Sequence, residues 1–299
     1  MKKTLLLLLL LANLSLFSQN DTIKNWTYKG KASLNFSQSY FSNWSQGGES
    51  SLTGIAKYTM EANYKKAKHT WKNWLDLAYG YSLIGKNDPM KTEDKIEFIS
   101  NYEYHFRKHW AFSAVLTFKS QFSKGYDYTK DSTNNISGFL APAYIDLGPG
   151  INYSPNKHFS ANFSPVTPRF IVVMDQELAN QGAFGLKPAD TINGVVQDAK
   201  QYKGAFGAKL LMTLSYELAK NINLSTKLEL FSDYLDHPQN IDVNWQTLIE
   251  LKVNSWLNVN ISTELVYDDD TIIKNADGKP LGPRTQFKQM LMLGIGYTF

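Results

Sequence analysis

Long runs of alternating apolar and polar residues constrain the fold of this sequence more than any other feature. Between positions 26 and 40 the even positions include Trp26, Tyr28, Leu34 and Phe36, whereas every odd position is Thr, Lys, Ser or Asn. A period of two residues is that of a β-strand with one apolar face. Runs of 11–15 residues exceed the usual strand length of a soluble protein. Twelve segments show this pattern, to different degrees: 26–40, 52–64, 71–81, 96–106, 110–122, 139–153, 159–173, 206–218, 222–234, 241–253, 257–267 and 287–299.

The sixth and seventh segments show the weakest alternation. They contain Pro142, Pro149, Pro165 and Pro168, and proline removes a backbone donor from the ladder of a sheet. We therefore expect bulges or irregular pairing in this part of the sheet.

The connections between the segments alternate in length. Short turns are expected at 65–70, 107–109, 154–158, 219–221 and 254–256, and longer connections at 41–51, 83–95, 123–138, 175–205, 235–240 and 268–286. Outer-membrane barrels have short periplasmic turns and longer external loops. An even strand count would place both termini on the periplasmic side.

These patterns predict an all-β chain that forms a transmembrane antiparallel up-and-down β-barrel of about twelve strands. Segments of this length can cross a bilayer when tilted, and aromatic residues near the segment ends fit the two girdles of such a barrel. The alternative is a soluble β-sandwich, which would have strands of roughly five to six residues and aromatic residues in its core.

The overall composition agrees with a barrel. Aromatic residues make up 14% of the chain, yet its mean hydropathy is -0.34, as expected when only alternate residues face lipid.

Lys and Arg number 31 against 27 Asp and Glu, for a net charge of +4, so we expect no nucleic-acid partner. The absence of cysteine excludes disulfides and thiol metal sites, and no motif indicates a cofactor or another metal site.

The N-terminus has the features of a secretory signal. Lys2 and Lys3 precede an apolar stretch at 5–12, which is too short to span a bilayer as a helix. We expect residues 1–18 to be a cleaved signal peptide and residues 19–299 to form the barrel, with a retained anchor as the alternative.

The polar positions of the alternating segments carry charges of both signs, and they define the predicted lumen. The lumen-facing candidates are Lys29, Lys31, Lys57, Glu61, Asp76, Glu97, Glu103, Lys119, Lys209, Glu229, Glu250 and Glu264. Such residues either pair across strands and fill a narrow interior or line a polar channel. The near balance of signs favours structural pairing over a strongly ion-selective pore.

Three external features are further candidates. Trp44, Gly47 and Gly48 belong to a Gly-rich external loop that either folds into the barrel mouth, binds a ligand or forms a plain turn. A solvated loop explains Asp233, Asp236 and His237 better than an acid–base pair of a protease does. The acidic run at 268–270 lacks EF-hand spacing, and loose binding of divalent cations is its functional alternative.

The C-terminal strand and the first external loop resemble known sequences. The chain ends with Tyr297-Thr298-Phe299, which is similar to the terminal signal that outer-membrane assembly machinery reads. The segment 41–52, FSNWSQGGESSL, and the tripeptide 282–284 resemble an uncharacterised Bacteroidetes outer-membrane barrel family, DUF3078. The resemblance implies the fold and an outer-membrane location, and no activity.

Together these features favour a small-solute channel or transporter in the outer membrane of a Gram-negative bacterium. The expected partners are outer-membrane lipid, lipopolysaccharide, the assembly machinery and an unidentified small solute. We expect no enzymatic activity. The alternatives are a structural or surface-binding barrel whose lumen is plugged, with 175–205 as the candidate plug, and an outer-membrane barrel hydrolase.

Overall fold

Twelve antiparallel strands close into a single barrel. The computed structural model describes residues 25–41, 49–128, 131–192, 195–274 and 279–299; the predicted signal peptide and the loop residues Trp44, Gly47 and Gly48 lie outside them. The barrel strands are β1 (Trp26–Ser39), β2 (Ser51–Lys66), β3 (His69–Ile84), β4 (Met90–Arg107), β5 (Trp110–Ser120), β8 (Ala143–Tyr153), β9 (Phe159–Val172), β12 (Tyr202–Ala219), β13 (Ile222–Asp233), β14 (Asp242–Lys252), β15 (Leu257–Tyr267) and β18 (Gln286–Thr298).

The first and last barrel strands close the ring. β1 pairs with β18 in antiparallel register, with Leu34 opposite Ile295. The last residue adds two backbone bonds, because the N–H of Gly30 donates to the carbonyl of Phe299 and the N–H of Phe299 donates back, each at 2.9 Å. No edge of the sheet is then left unpaired, as a span through hydrocarbon requires.

Burial in this barrel is the reverse of that in a soluble protein. Outward-facing apolar side chains are exposed, including Leu116, Phe163 and Leu293, whereas inward-facing Glu97 and Glu103 are buried. An apolar outer band around a polar interior is the defining property of a transmembrane β-barrel. The predicted fold class is confirmed.

Aromatic residues cluster at the two ends of the strands. At the short-turn end, ring contacts join Trp26 with Trp71 and Trp110 with Tyr153. At the opposite end, Tyr79 contacts Phe122. Aromatic rings favour the membrane–water interface, so the two groups mark the edges of the membrane-embedded band.

The connections differ at the two ends of the barrel, as the sequence predicts. Short turns join β2 to β3, β4 to β5, β8 to β9, β12 to β13 and β14 to β15. The opposite end carries three two-stranded hairpins, β6 (Gly125–Asp127) with β7 (Asp131–Ser137), β10 (Asp190–Ile192) with β11 (Val195–Gln197), and β16 (Ile272–Lys274) with β17 (Pro280–Pro283), together with helix α1 (Gln176–Asn180). In the described part of the chain, no helix has the length and apolar character needed to cross a membrane.

One predicted long loop is wrong. The connection expected at 83–95 consists only of residues 85–89, because β4 already begins at Met90. Polar residues at 91–95 hide the alternation in the sequence. In the structure they continue the ladder with β3 through a register shift beside Gly80 and Tyr81.

The prolines disturb the sheet where the sequence predicts. The register between β8 and β9 shifts between Asp146 and Ile151. On the other side of β9, Ser164 is opposite Lys209 and Thr167 is opposite Gly207. Three steps along β9 thus match two steps along β12, which is a bulge of one residue.

Candidate functional site: the charged lumen

Ten charged side chains form a continuous ion-pair layer inside the barrel. We call this group the ion-pair layer; it contains five acidic and five basic residues, Asp76, Glu97, Asp146, Glu229, Asp242, Lys95, Lys119, Arg169, Lys209 and Lys227. They come from eight barrel strands, because period-two alternation points one side chain in two into the lumen.

Part of the layer joins opposite walls. Glu97 on β4 lies 2.6 Å from the ammonium of Lys227 on β13. Between β4 and β13 lie four barrel strands in one direction around the ring and six in the other. Lys95, also on β4, donates to the side-chain carbonyl of Gln246 on β14 at 3.2 Å. These contacts cross the lumen instead of running along one wall.

The other half of the layer is a compact buried cluster. Asp146 accepts from the Arg169 guanidinium at 2.9 and 3.3 Å and from the Lys209 ammonium at 2.6 Å. The guanidinium also lies 3.6 Å from the centroid of the Phe231 ring. Two cations share this carboxylate, and Glu229 lies within 3.6 Å of both, so each charge has a partner inside the barrel.

A cavity of about 730 Å³ borders this layer and extends to the short-turn end. Its lining reaches from Lys95, Lys227 and Gln246 at the layer to Asn156 and Lys157 in the β8–β9 turn. We call this cavity the vestibule. It is large enough for a small organic molecule.

The structure places the predicted lumen residues as follows. Lys57, Glu61, Asp76 and Glu264 line the vestibule, whereas Glu97, Lys119, Lys209 and Glu229 belong to the ion-pair layer together with Asp76. Glu103 pairs with Lys72 at 2.9 Å, and Lys31 pairs with Glu250, both nearer the short-turn end. Lys29 is exposed at that end, opposite Glu61 in the register.

Sequence reasoning missed four lumen residues that matter to the site. Lys95 falls in the connection that the sequence predicts at 83–95, and Arg169 follows a proline that interrupts the alternation. Trp74 and Phe231 are aromatic residues that point inward, where the pattern predicts polar side chains. Trp74 lies two residues before Asp76, so both side chains point to the same face of β3. This spacing is the one signal that could have identified Trp74 as a lumen residue.

Two residues of the predicted acidic run at 268–270 lie close to Asp242 of the ion-pair layer. Carboxylate oxygens of Asp242, Asp268 and Asp269 lie within 4.8 Å of one another. Burial raises the pKa of the Asp268 carboxyl above its ordinary value, although this group accepts from the Asp270 N–H and the Thr271 hydroxyl. Asp270 instead pairs with Lys203 at 2.7 Å.

The group of Asp233, Asp236 and His237 lies at the long-loop end of β13. His237 Nδ1 lies 2.6 Å from an Asp236 oxygen, and both side chains are largely exposed. Asp233 accepts backbone N–H groups of Phe206 and Leu235 at 3.3 and 2.9 Å. The Asp233 carboxylate therefore stabilises the end of the β12–β13 pair.

Part of the predicted plug segment, 175–205, packs onto the long-loop end of the lumen. Leu178 and Leu186 form a buried cluster with Ile171 and Val173 of the β9 end, and Tyr144 packs against it. Ile171 and Tyr144 share the inward face of Arg169 and Asp146. Residues 173–186 therefore cover part of the long-loop mouth from the side of β8 and β9.

The chain is similar to solved outer-membrane structures at low sequence identity. An outer-membrane channel from Pseudomonas putida F1 superimposes with a TM-score of 0.42 at 11% identity, covering 94% of this chain and 99% of that chain. The translocator domain of the autotransporter NalP from Neisseria meningitidis gives 0.40 at 10% identity, covering 94% and 90%. No curated protein matches the sequence.

One family model also matches. Its description is "Protein of unknown function (DUF3078)", and the match covers residues 36–126, from β1 to β6. The first of the two segments that resembled this family, at 41–52, lies inside the match, and the second, at 282–284, lies outside it. The resemblance to DUF3078 is thus confirmed for residues 36–126.

Proposed function

We propose that the protein is a non-enzymatic outer-membrane barrel that passes small polar solutes and is constricted at mid-height by its own ion-pair layer. The observation that carries the proposal is the position of the layer: the Glu97–Lys227 ion pair and the Lys95–Gln246 hydrogen bond join opposite walls, and Lys95, Lys227 and Gln246 also line the vestibule of about 730 Å³. A polar interior supports passage of solutes, and paired charges across it narrow the path.

Conductance in planar bilayers tests this proposal. We expect the folded wild-type barrel to give small or rare steps, and Glu97→Ala/Lys227→Ala to raise the step size at least severalfold. The double substitution removes one charge of each sign, so it widens the constriction without changing the net charge of the lumen.

A matched control removes an ion pair that does not cross the lumen. Lys72 and Glu103 lie on neighbouring strands and pair at 2.9 Å. Lys72→Ala/Glu103→Ala should conduct as the wild type does. Equal conductance of all three proteins would show that the ion-pair layer does not limit passage.

A plugged, surface-binding barrel is the second candidate. The packing of residues 173–186 against the long-loop end of the lumen favours it. The same bilayer recordings distinguish the plugged barrel from the channel. If that segment closes the mouth, Glu97→Ala/Lys227→Ala gives no conductance steps.

We further propose that the short-turn end faces the periplasm, with both termini, and that the long-loop end contacts lipopolysaccharide. Short turns on the periplasmic side are typical of such barrels. The C-terminal Tyr297 and Phe299 would then meet the assembly machinery from the periplasm.

Labelling in whole cells tests this orientation. The chain contains no cysteine, so a single introduced thiol is labelled without background. We expect a membrane-impermeant maleimide to label Lys187→Cys, in an external segment, and to leave Lys66→Cys, beside the β2–β3 turn, unlabelled until the cells are lysed. The opposite pattern would invert the orientation.

A further inference from the structure

The vestibule has a surplus of unpaired positive charge. Of its lysines, Lys95 and Lys288 pair with carboxylates of the same cavity, and Lys72 and Lys227 pair with Glu103 and Glu97. Lys57 and Lys157 also line it, and neither has a carboxylate within 4.0 Å among the residues that the structure describes. Glu61 is the corresponding unpaired acid.

Lys57 lies in the interior part of this cavity. It is on β2, opposite Ala78 in the register, and its side chain is half-buried. Within the described ranges, its ammonium has no hydrogen-bond acceptor. An ammonium with three donors facing a cavity without a partner is a binding group for an anion.

An apolar surface lies in the same cavity. Trp74, Ile99 and Leu211 line the vestibule, and Ile99 and Leu211 are buried against each other with Trp74 packed on them. A cavity that holds both an apolar surface and the unpartnered Lys57 fits an organic anion better than an inorganic one, because the carbon part of the ligand is then also removed from water.

The rim of the vestibule has the same sign of charge. The five short connections, at 67–68, 108–109, 154–158, 220–221 and 253–256, contain four lysines and no Asp or Glu. A cleft with a mouth of one sign raises the local concentration of oppositely charged solutes.

We propose that the vestibule binds a small organic carboxylate, with Lys57 contacting the carboxylate and Trp74, Ile99 and Leu211 contacting its carbon skeleton. This inference rests on the proposed function and names its solute class. The ligand enters from the short-turn end, where the basic rim lies.

Quenching of Trp74 tests the proposal. Trp74 lines the vestibule, whereas Trp71, Trp110, Trp245 and Trp256 are exposed on the outer face. The difference in acrylamide quenching of tryptophan fluorescence between the wild type and Trp74→Phe therefore reports on the vestibule. We expect glucuronate to protect this signal at concentrations where glucose, which lacks the carboxylate, does not, with sulfate added to match the ionic strength.

Substitutions of Lys57 complete the test. Lys57→Met should raise the Kd for glucuronate about tenfold or more, as expected for the loss of one charge-assisted hydrogen bond, and Lys57→Arg should retain binding. Lys66→Met, on the exposed rim, is the control for a general loss of positive charge. Folding of each variant is checked by heat-modifiable gel mobility, and if Lys57→Met does not fold, Lys57→Gln replaces it.

The outcomes are distinct from those of the conductance test. Equal protection by glucose and glucuronate, unchanged binding by folded Lys57→Met, or an equal loss in Lys66→Met would each overturn the anion site. Glucuronate binding in a barrel that stays silent in every bilayer recording would retain the site and reject passage of solutes.

Discussion

Met212→Arg is expected to prevent most of the protein from folding into bilayers, whereas Thr213→Arg is expected to fold nearly as the wild type does. Met212 lies near the middle of β12 on the outer face, opposite Leu228 on one side and Ala161 on the other. An arginine at the bilayer midplane of a barrel costs about 2–4 kcal/mol, which is a large part of the stability of a typical domain.

Thr213 is the matched control because it is the next residue along the same strand. Its side chain lines the vestibule, where an added guanidinium stays in a polar environment. Refolding yield into vesicles, with urea titration of the folded fraction, measures the difference. An equal loss for both variants, or a greater loss for Thr213→Arg, would show that the inner and outer faces of β12 are exchanged.

Removal of Phe299 is expected to reduce insertion in cells more than refolding in detergent. A chain that ends at Thr298 loses the two backbone bonds between Phe299 and Gly30. It also loses the ring that covers Gly30: a Cβ at this glycine would lie 2.2 Å from the Phe299 ring. These losses weaken the pairing of β1 with β18 both in cells and in detergent.

The larger effect in cells would come from recognition by the assembly machinery. Membrane-inserted yield in cells and refolding yield in vitro are compared for the wild type and for the chain ending at Thr298. Tyr28→Ala is the control, because Tyr28 is an exposed aromatic residue at the same end of β1. An equal drop in both yields would assign Phe299 to stability alone, and an unchanged cellular yield would remove it as a targeting residue.

Strand number, strand phase and the closed ring follow from the sequence because they depend on local alternation. A period of two fixes which residues share a face, so the outward position of Leu293 and the inward position of Lys209 can be read directly. Long apolar-faced strands in lipid have no stable alternative to closure. For this reason the barrel could be predicted without any knowledge of distant contacts.

Arg169 shows where this reasoning ends. Ser164 faces inward at an even position, and the bulge beside Pro165 adds one residue, so Thr167 and Arg169 face inward at odd positions. The parity read from the start of β9 therefore gives the wrong face for every residue after the bulge. A proline signals that a bulge is expected, and only the pairing with β12 shows where it lies.

The partners of the lumen charges were decided by the tertiary structure alone. The sequence predicts that Glu97 and Lys227 point inward, but they lie on strands far apart in the chain, and their 2.6 Å contact depends on the diameter of the closed ring. The same holds for Lys57, which the pattern treats like any other inward lysine. Whether Lys57 has a carboxylate partner among the described residues depends on distances across the barrel. The alternation along one strand gives no information about those distances.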